Sequence, residues 1–300
     1  MSFKVDTKAL DKLLLENIEH FESVRDDEIV KQAAEIPSGF MIPIPYFGDI
    51  EAYQDSKIRI LTVGLNPSNR EFQPKKSEKD RLTGNGLLRR FNVVRSNSNP
   101  VELKSQLSDY FKCNPYSWFN SFECVLKGCS ASYGMSAEAQ NIALHIDVGS
   151  PIATNPTWSK LGIQNSKLLK QKEAATLKAE IKTKKDLTNR GKKFFIDMLQ
   201  LFQPNIVIAS VGRNNISQID PIFDIDEKHK IYAKERNANG ELSKTRQIVV
   251  GREIPYVSQK FYFANGSAST TPFGRFTNEQ KMLAGKRILC EHQKITGTTK

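Results

Sequence analysis

The chain has 300 residues and a mass of 33.9 kDa, enough for one large domain or two small ones. Hydrophobic residues make up 39% and charged residues 26%, which excludes a fully disordered or fibrous protein. Lys and Arg outnumber Asp and Glu by 44 to 33, so the net charge is +11. This excess favours a polyanionic partner, with nucleic acid first and an anionic membrane second. A solvated basic surface without a specific partner remains the alternative.

The sequence also bears on location and cofactors. No apolar run is long enough to cross a bilayer, and the first residues lack the basic and apolar blocks of a signal peptide. We therefore expect a cytoplasmic protein that does not bind a membrane. The four cysteines have no CxxC spacing, and the four histidines have no HxxxH or HExxH spacing. We expect reduced thiols, no metal and no cofactor.

In chain order, helices come first and then alternate with strands. Apolar residues recur with a helical period between residues 8 and 34, which predicts one or two amphipathic helices. Apolar runs predict strands at 58–64, 141–147, 205–212 and 260–264, and a further helix includes Phe194 and Phe202. This alternation predicts an α/β protein, with three α/β/α layers and a short, mainly parallel central sheet.

We expect one domain over residues 1–300, with N-terminal helices in 1–36 and a core in 58–290. Two polar segments are predicted to be insertions in that core. Segment 160–193 holds 11 Lys or Arg against three Asp or Glu, and its residues 167–185 have a helical pattern. Segment 220–251 has Asn-Ala-Asn-Gly at its centre, which is typical of a β-hairpin turn.

Polar residues follow three of the predicted strands. Because the carboxyl ends of parallel strands meet at one edge of a sheet, where open α/β sheets bind ligands, these residues predict a functional site. Each motif alone is also compatible with an ordinary turn or strand-end cap. The three motifs are Gly64-Leu-Asn66-Pro-Ser68, His145-Ile-Asp147-Val-Gly-Ser-Pro and Asn265-Gly-Ser-Ala-Ser269.

In this order, the motifs resemble the uracil-DNA glycosylase superfamily, in particular its mismatch-specific uracil/thymine branch. The motifs of that branch read Gly-x-Asn-Pro-Gly and Asn-Pro-Ser-Gly-Leu-Ser; residues 64–68 match the first, and residues 265–269 match the second only loosely. The resemblance covers about residues 58–275. It implies a DNA glycosylase that flips a pyrimidine out of the helix and hydrolyses its N-glycosidic bond. None of the motifs supplies a lysine for a Schiff base, so the expected enzyme is monofunctional.

The resemblance also implies roles for individual residues. Asn66 would hold the attacking water beneath the sugar, and Asn265 would donate a hydrogen bond to the pyrimidine O2, where negative charge develops. The backbone around Gly266 and Ser267 would hold a phosphate. The expected base pocket consists of Gly64, Leu65, Pro67, Ser68 and Phe72, with Phe72 stacking on the base and Phe91 as the second candidate.

Two departures from the family concern the substrate. Asp147 stands where the uracil enzymes have an Asn that reads the base, and an ionised carboxylate accepts a hydrogen bond from the cytosine N4 amino group. A protonated Asp147 that donates to cytosine N3, and a purely structural cap, remain the alternatives. Ser68 replaces a Tyr that blocks C5 substituents. We therefore expect a 5-modified cytosine, as in the modified DNA of phages, and a role in antiviral defence; uracil/thymine mismatch repair is the alternative.

The remaining expected contacts are with DNA, either double-stranded or single-stranded, and no obligate protein partner is evident. Phe273 or Arg275 would fill the gap left by the flipped base, although packing in the core explains Phe273 equally well. Further expected contacts are Ser269, Lys184, Lys185, Lys192 and Lys193, although charge runs usually form a solvated face. Two other functions stay open: a catalytically inactive DNA-binding module with the same fold, and an enzyme acting on a free nucleotide or another small anion.

Overall fold

A computed structural model describes residues 3–35, 42–72, 99–112, 115–155, 161, 172–211, 229–236, 242–251, 262–266, 272–274 and 276–297. Within 229–236, 242–251 and 262–266 it describes the backbone. None of the helices in this part of the chain has both the length and the apolar character needed to cross a membrane.

The N-terminal residues form two helices, as the apolar period predicted: α1 (Thr7–Val24) and α2 (Glu28–Ala34). Each begins at an aspartate whose carboxylate accepts hydrogen bonds from backbone amides of the first turn, Asp6 in α1 and Asp27 in α2. The apolar stripe of α1 is buried and contributes Leu10, Leu14, Ile18 and Phe21 to the core.

The rest of the chain alternates helices with strands. The helices are α3 (Ile50–Gln54), α4 (Pro100–Ser108), α5 (Phe119–Gly128), α6 (Ala174–Phe202) and α7 (Asn278–Thr296). The strands are β1 (Ile60–Gly64), β2 (Ala131–Ser132), β3 (Asn141–Asp147), β4 (Ile206–Ala209), β5 (His229–Arg236), β6 (Leu242–Gly251) and β7 (Tyr262–Gly266).

The strands form one sheet in the order β2-β3-β1-β4-β7-β6-β5. The strands from β2 to β7 in this order pair in parallel, whereas β6 pairs antiparallel with both β7 and β5. The four strands predicted from the sequence are β1, β3, β4 and β7, so the prediction of an α/β fold with a mainly parallel sheet is confirmed. Every residue of β1 and β4 is buried, as expected for strands in the middle of such a sheet.

The polar segment 220–251 contains the two strands of the predicted hairpin, β5 and β6, which pair antiparallel. The predicted turn at 237–240 lies outside the described residues. Because β6 also pairs with β7, the hairpin extends the central sheet at its β7 edge.

The basic segment 160–193 differs from the prediction. The two helical stretches suggested by the sequence are one continuous helix, α6, so the expected end of the insertion at residue 193 falls inside a helix. The C-terminal half of α6 has its apolar residues at helical spacing and buries Leu187, Phe194 and Phe195 in the core. The lysines dominate the composition of this segment and conceal that period.

Helix α6 contacts the loop that follows β3 at one glycine. A Cβ atom added to Gly191 would lie 2.0 Å from the carbonyl oxygen of Gly149 and 2.7 Å from the amide nitrogen of Ser150. Both distances are far below van der Waals contact, so the absence of a side chain at 191 allows the helix to approach this loop.

We predict that Gly191→Ala destabilises the protein by roughly 2 kcal/mol, because the added methyl group overpacks this contact. At an unconstrained helix position, Gly→Ala stabilises by about 1 kcal/mol. A loss of stability in Gly191→Ala would therefore come from the contact with the loop. The matched control is Asn189→Ala, at an exposed position of the same helix. Urea unfolding measures both; equal stability of Gly191→Ala and wild type would contradict the contact.

Candidate functional site

The carboxyl ends of the central strands form one row. In the register of the sheet, Gly64 pairs with Asp147, Val63 pairs with Ala209, and Ala209 pairs with Asn265. The three motifs predicted from the sequence therefore reach the same edge of the sheet. The first two are neighbours, whereas β4 separates Asn265 from them.

The strand order predicts a crevice at this edge. From β1 the chain forms β2 and β3 on one side of β1, and then β4 and β7 on the other side. Connections that leave in opposite directions open a space between the two central strands, and doubly wound sheets bind their ligands there. The loop after β1 carries Asn66 and borders this space.

The loops after β1 and β3 are held together by backbone hydrogen bonds. The amide of Gly149 donates to the carbonyl oxygen of Leu65 over 2.6 Å, and the amide of Thr154 donates to that of Pro67 over 3.2 Å. Pro67 is buried, whereas Leu65 and Ser68 are half-buried. The expected pocket residues of the first motif therefore lie in a loop with a fixed backbone.

The side chain of Asn66 is fixed at its nitrogen. Its Nδ2 donates to the hydroxyl of Thr154 over 2.8 Å and to the carbonyl oxygen of Pro67 over 3.0 Å. Because a carbonyl oxygen only accepts, the amide cannot be turned over without a repulsive contact. Its Oδ1 is buried and has no hydrogen-bond partner in the part of the chain that is described. A buried acceptor of this kind is a place for a water molecule or a ligand donor.

Asp147 is buried beside β1. A Cβ atom at Gly64 would lie 2.4 Å from Asp147 Oδ1, 3.2 Å from His145 Nε2 and 3.3 Å from the ring of Trp118. The carboxylate thus occupies the space that a side chain at residue 64 would fill. Gly64, expected in the base pocket, makes room for Asp147.

His145 connects Asp147 to a buried polar chain. Its Nε2 lies 3.6 Å from Asp147 Oδ1, and its Nδ1 lies 2.8 Å from the hydroxyl of Thr62. The hydroxyl of Tyr133 lies 2.5 Å from that of Thr62. The sequence had placed His145 at the strand end without a role.

Glu71 is a second buried carboxyl group near Asp147. The Tyr110 hydroxyl lies 2.8 Å from both oxygens of Glu71, and it accepts a hydrogen bond from the amide of Tyr116. Burial and the negative charge of Asp147 raise the pKa of Glu71 to about 8, although the hydrogen bond with Tyr110 acts to lower it. Near neutral pH, Glu71 is therefore mostly protonated.

Two of the expected aromatic contacts are buried. Phe72 is 1% exposed. Phe273 is completely buried, and its ring centroid lies 6.1 Å from those of both Phe122 and Phe276. Phe273 therefore packs in the core, as the alternative prediction stated, and its side chain is not available to fill a gap in DNA. Trp118 is half-buried and borders Gly64, so part of an aromatic side chain remains accessible beside Asp147.

Other predicted contacts are described in part. Asn265 and Gly266 lie inside β7, where they pair with Val249 and Ile248 of β6. The remaining expected contacts in and after this motif lie outside the described residues, as does Phe91; they are Ser267, Ser269 and Arg275.

The predicted lysines lie on α6. Lys185 and Lys193 are exposed, and Lys192 is half-buried. Lys184 is also half-buried, and burial lowers the pKa of its amino group. The exposed members of the set are available to a polyanion, whereas Lys184 is partly covered by the protein.

Residues that could bind a metal do not cluster in the described ranges, where no group of three or more His, Cys, Asp or Glu has the required arrangement. Cys124, Cys129 and Cys290 have free thiols. The site is built from amide, carboxyl, imidazole and hydroxyl groups.

Sequence reasoning missed several of these groups. His145 had a usable signal, because residues two apart on a strand share a face, so His145 and Asp147 had to be neighbours. Glu71 and Thr154 had none, since a polar residue in a loop gives no sign that the fold will bury it.

No family model matches the sequence, and no curated protein matches it.

We predict that Glu71→Gln flattens the dependence of stability on pH. With a pKa of about 8 in the folded state and near 4.5 when unfolded, Glu71 contributes stability that is complete below about pH 4.5 and is lost as the pH rises through 8. Between about pH 5 and pH 8, wild type should lose on the order of 3 kcal/mol more than Glu71→Gln. Urea unfolding across this range measures the difference.

The control for this measurement is Glu138→Gln, which removes an exposed carboxylate and should keep the wild-type slope. If Glu71→Gln and Glu138→Gln show the same slope as wild type, Glu71 is ionised in the folded protein.

Proposed function

We propose that the chain is a monofunctional DNA glycosylase that hydrolyses the N-glycosidic bond of a flipped pyrimidine nucleotide, with a 5-modified cytosine as the preferred base. The observation that carries this proposal is the buried Oδ1 of Asn66, which has no hydrogen-bond partner among the described residues and lies just after the carboxyl end of the central strand β1. The resemblance of the Gly64–Ser68 motif to the glycosylase superfamily supports it.

Asn66 has the right chemistry to position a water molecule. Its oxygen accepts a hydrogen from the water, which leaves an oxygen lone pair of the water for the sugar C1′. An amide is too weak a base to remove the proton early, so bond breaking leads and an oxocarbenium-like sugar forms. The bond from C1′ to the base nitrogen breaks first and its electron pair leaves with the base; the water oxygen then bonds to C1′, and the proton of the water goes to solvent or to the departing base.

Asp147 suits a base with an amino group. It lies in the strand next to β1, in register with Gly64, and its buried carboxylate accepts hydrogen bonds. A cytosine N4 amino group supplies a donor, whereas the O4 of uracil or thymine would face the carboxylate with another acceptor. Release of modified cytosine from phage DNA would give the protein a defensive role.

A lysine stripe on α6 supplies a surface for the phosphate backbone. Lys178, Lys182, Lys185, Lys192 and Lys193 recur at helical spacing, and all except the half-buried Lys192 are exposed. They span about 22 Å along the helix axis. The same helix contacts the loop after Asp147 at Gly191, on the face opposite these lysines.

We predict that Asn66→Ala lowers the rate of base release at least about a hundredfold, because the attacking water loses its position, while DNA affinity changes little. The substrate is an oligonucleotide with one 5-modified cytosine, and strand cleavage at the abasic site reports the reaction. The matched control is Asn155→Ala, whose amide donates to the surface residue Glu35 and which should keep wild-type activity.

Two other results would contradict this proposal. Equal activity of Asn66→Ala and wild type contradicts the assigned role of Asn66. DNA binding by a wild-type protein that releases no base would instead support the catalytically inactive module.

We predict that replacing Lys185 and Lys192 together by Gln weakens DNA binding equally for all sequences. Each lysine that contacts a phosphate adds roughly one unit to the slope of log affinity against log salt, so the slope should fall by up to about two. The control replaces Lys127 and Lys286, which are exposed on α5 and α7. Equal slopes for the two double variants would remove the lysine stripe from the DNA contact, and an affinity that does not depend on salt would favour a small-molecule substrate.

A further inference from the structure

Asp147 belongs to a row of polar side chains on one face of the sheet. Thr62 pairs with His145 and Gly64 pairs with Asp147 in the β1–β3 ladder, and residues two apart on a strand share a face. Thr62 is completely buried, and His145 is 1% exposed. The His145 ring is surrounded by four aromatic rings, with centroids 5.0 to 5.9 Å from its own: Phe47, Trp118, Phe119 and Phe122.

The direction of the hydrogen bonds in this row follows from the groups present. A bare Nε2 lone pair of His145 at 3.6 Å from the Asp147 carboxylate would be repulsive, so Nε2 carries a hydrogen. In the neutral ring Nδ1 is then an acceptor, and the one hydrogen of the Thr62 hydroxyl goes to Nδ1 at 2.8 Å rather than to the carbonyl oxygen of Leu144 at 3.2 Å. Thr62 in turn accepts from the Tyr133 hydroxyl, so the chain runs from Tyr133 through Thr62 to His145.

We propose that His145 is a positioning residue that determines base specificity. Its Nε2–H faces Asp147 Oδ1 and orients the Asp147 carboxylate to accept a hydrogen bond from the substrate. The pocket then selects bases with an exocyclic amino group. This inference rests on the proposed glycosylase function and names its substrate class. It decides against the alternative in which Asp147 is protonated and donates to cytosine N3.

The neighbouring carboxyl group, Glu71, also supports the role of Asp147 as the acceptor. Burial, and to a smaller extent the charge of Asp147, raise the pKa of Glu71, so Glu71 is mostly protonated near neutral pH. The Tyr110 hydroxyl binds Glu71, whereas the imidazole lies against Asp147. Each carboxyl group thus has its own neighbouring group.

The position of the hydrogen is measurable in the wild-type protein without substrate. We expect the ¹⁵N chemical shifts of the His145 ring, assigned by their absence from the spectrum of His145→Phe, to show a hydrogen on Nε2. A doubly protonated ring also places a hydrogen toward Asp147 and supports the proposal. A neutral ring with its hydrogen on Nδ1 would overturn it.

The consequence for specificity is measured as a ratio of rates. His145→Phe keeps an aromatic ring among its neighbours but removes the N–H, whereas His145→Gln keeps a donor. Release of modified cytosine relative to uracil, from matched oligonucleotides, should fall roughly tenfold in His145→Phe and stay within about threefold of wild type in His145→Gln. A parallel loss on both bases, or an unchanged ratio in His145→Phe, would show a structural role only and overturn the proposal.

The two proposals fail in different ways. If wild type releases no base from any oligonucleotide, the glycosylase function and the base selection both fall. If wild type releases modified cytosine but the ring carries its hydrogen on Nδ1, only the assignment of His145 falls.

Discussion

The parallel register between β1 and β3 is the constraint on which the candidate site depends. It pairs Thr62 with His145 and Gly64 with Asp147. The polar side chains of His145 and Asp147 on β3 therefore lie beside the hydroxyl of Thr62 and the glycine at residue 64 on β1. A slip of one residue would turn the polar side chains of one strand to the other face of the sheet, away from these partners. A side chain at residue 64 would displace the Asp147 carboxylate. The register is fixed in turn by the buried apolar residues between these positions, Leu61 with Leu144 and Val63 with Ile146.

Around this ladder, the site combines polar groups with different charges. Asn66 offers a neutral oxygen that is buried and open to a donor, Glu71 is mostly protonated near neutral pH, and Asp147 faces an imidazole. A buried charge is costly unless it has a partner, and His145 lies beside the Asp147 carboxylate; the mostly neutral Glu71 contacts the Tyr110 hydroxyl. The positive charge of the segment around α6 lies apart from these groups and is available for long-range attraction of a polyanion.

Much of the sheet could be predicted from the sequence, because its buried strands are continuous apolar runs that end in polar turns. Residues 141–147 coincide with β3, and the polar residues after β1 and β3 meet at the edge where the strand order predicts a ligand. These predictions succeeded because strand ends follow from local pattern and because parallel strands align their carboxyl ends.

The rest depends on tertiary contacts that have no local signature. The sequence divided α6 into two parts, because its lysines conceal apolar residues that only packing against the core reveals. Phe273 was ambiguous, since a loop phenylalanine is equally compatible with a surface wedge and with the aromatic cluster that buries it. Glu71 acquires its proton from burial, and the hydroxyl that it contacts belongs to Tyr110, a residue 39 positions away in the chain.

The most direct test of the central claim, that this strand-end site releases an amino-bearing pyrimidine from DNA, is mass spectrometry of the free bases. The wild-type protein is incubated with phage DNA that contains modified cytosine and with unmodified DNA that contains uracil. The account predicts free 5-modified cytosine from the first and little or no uracil from the second. Release of uracil alone, or of no base from either DNA, would contradict it.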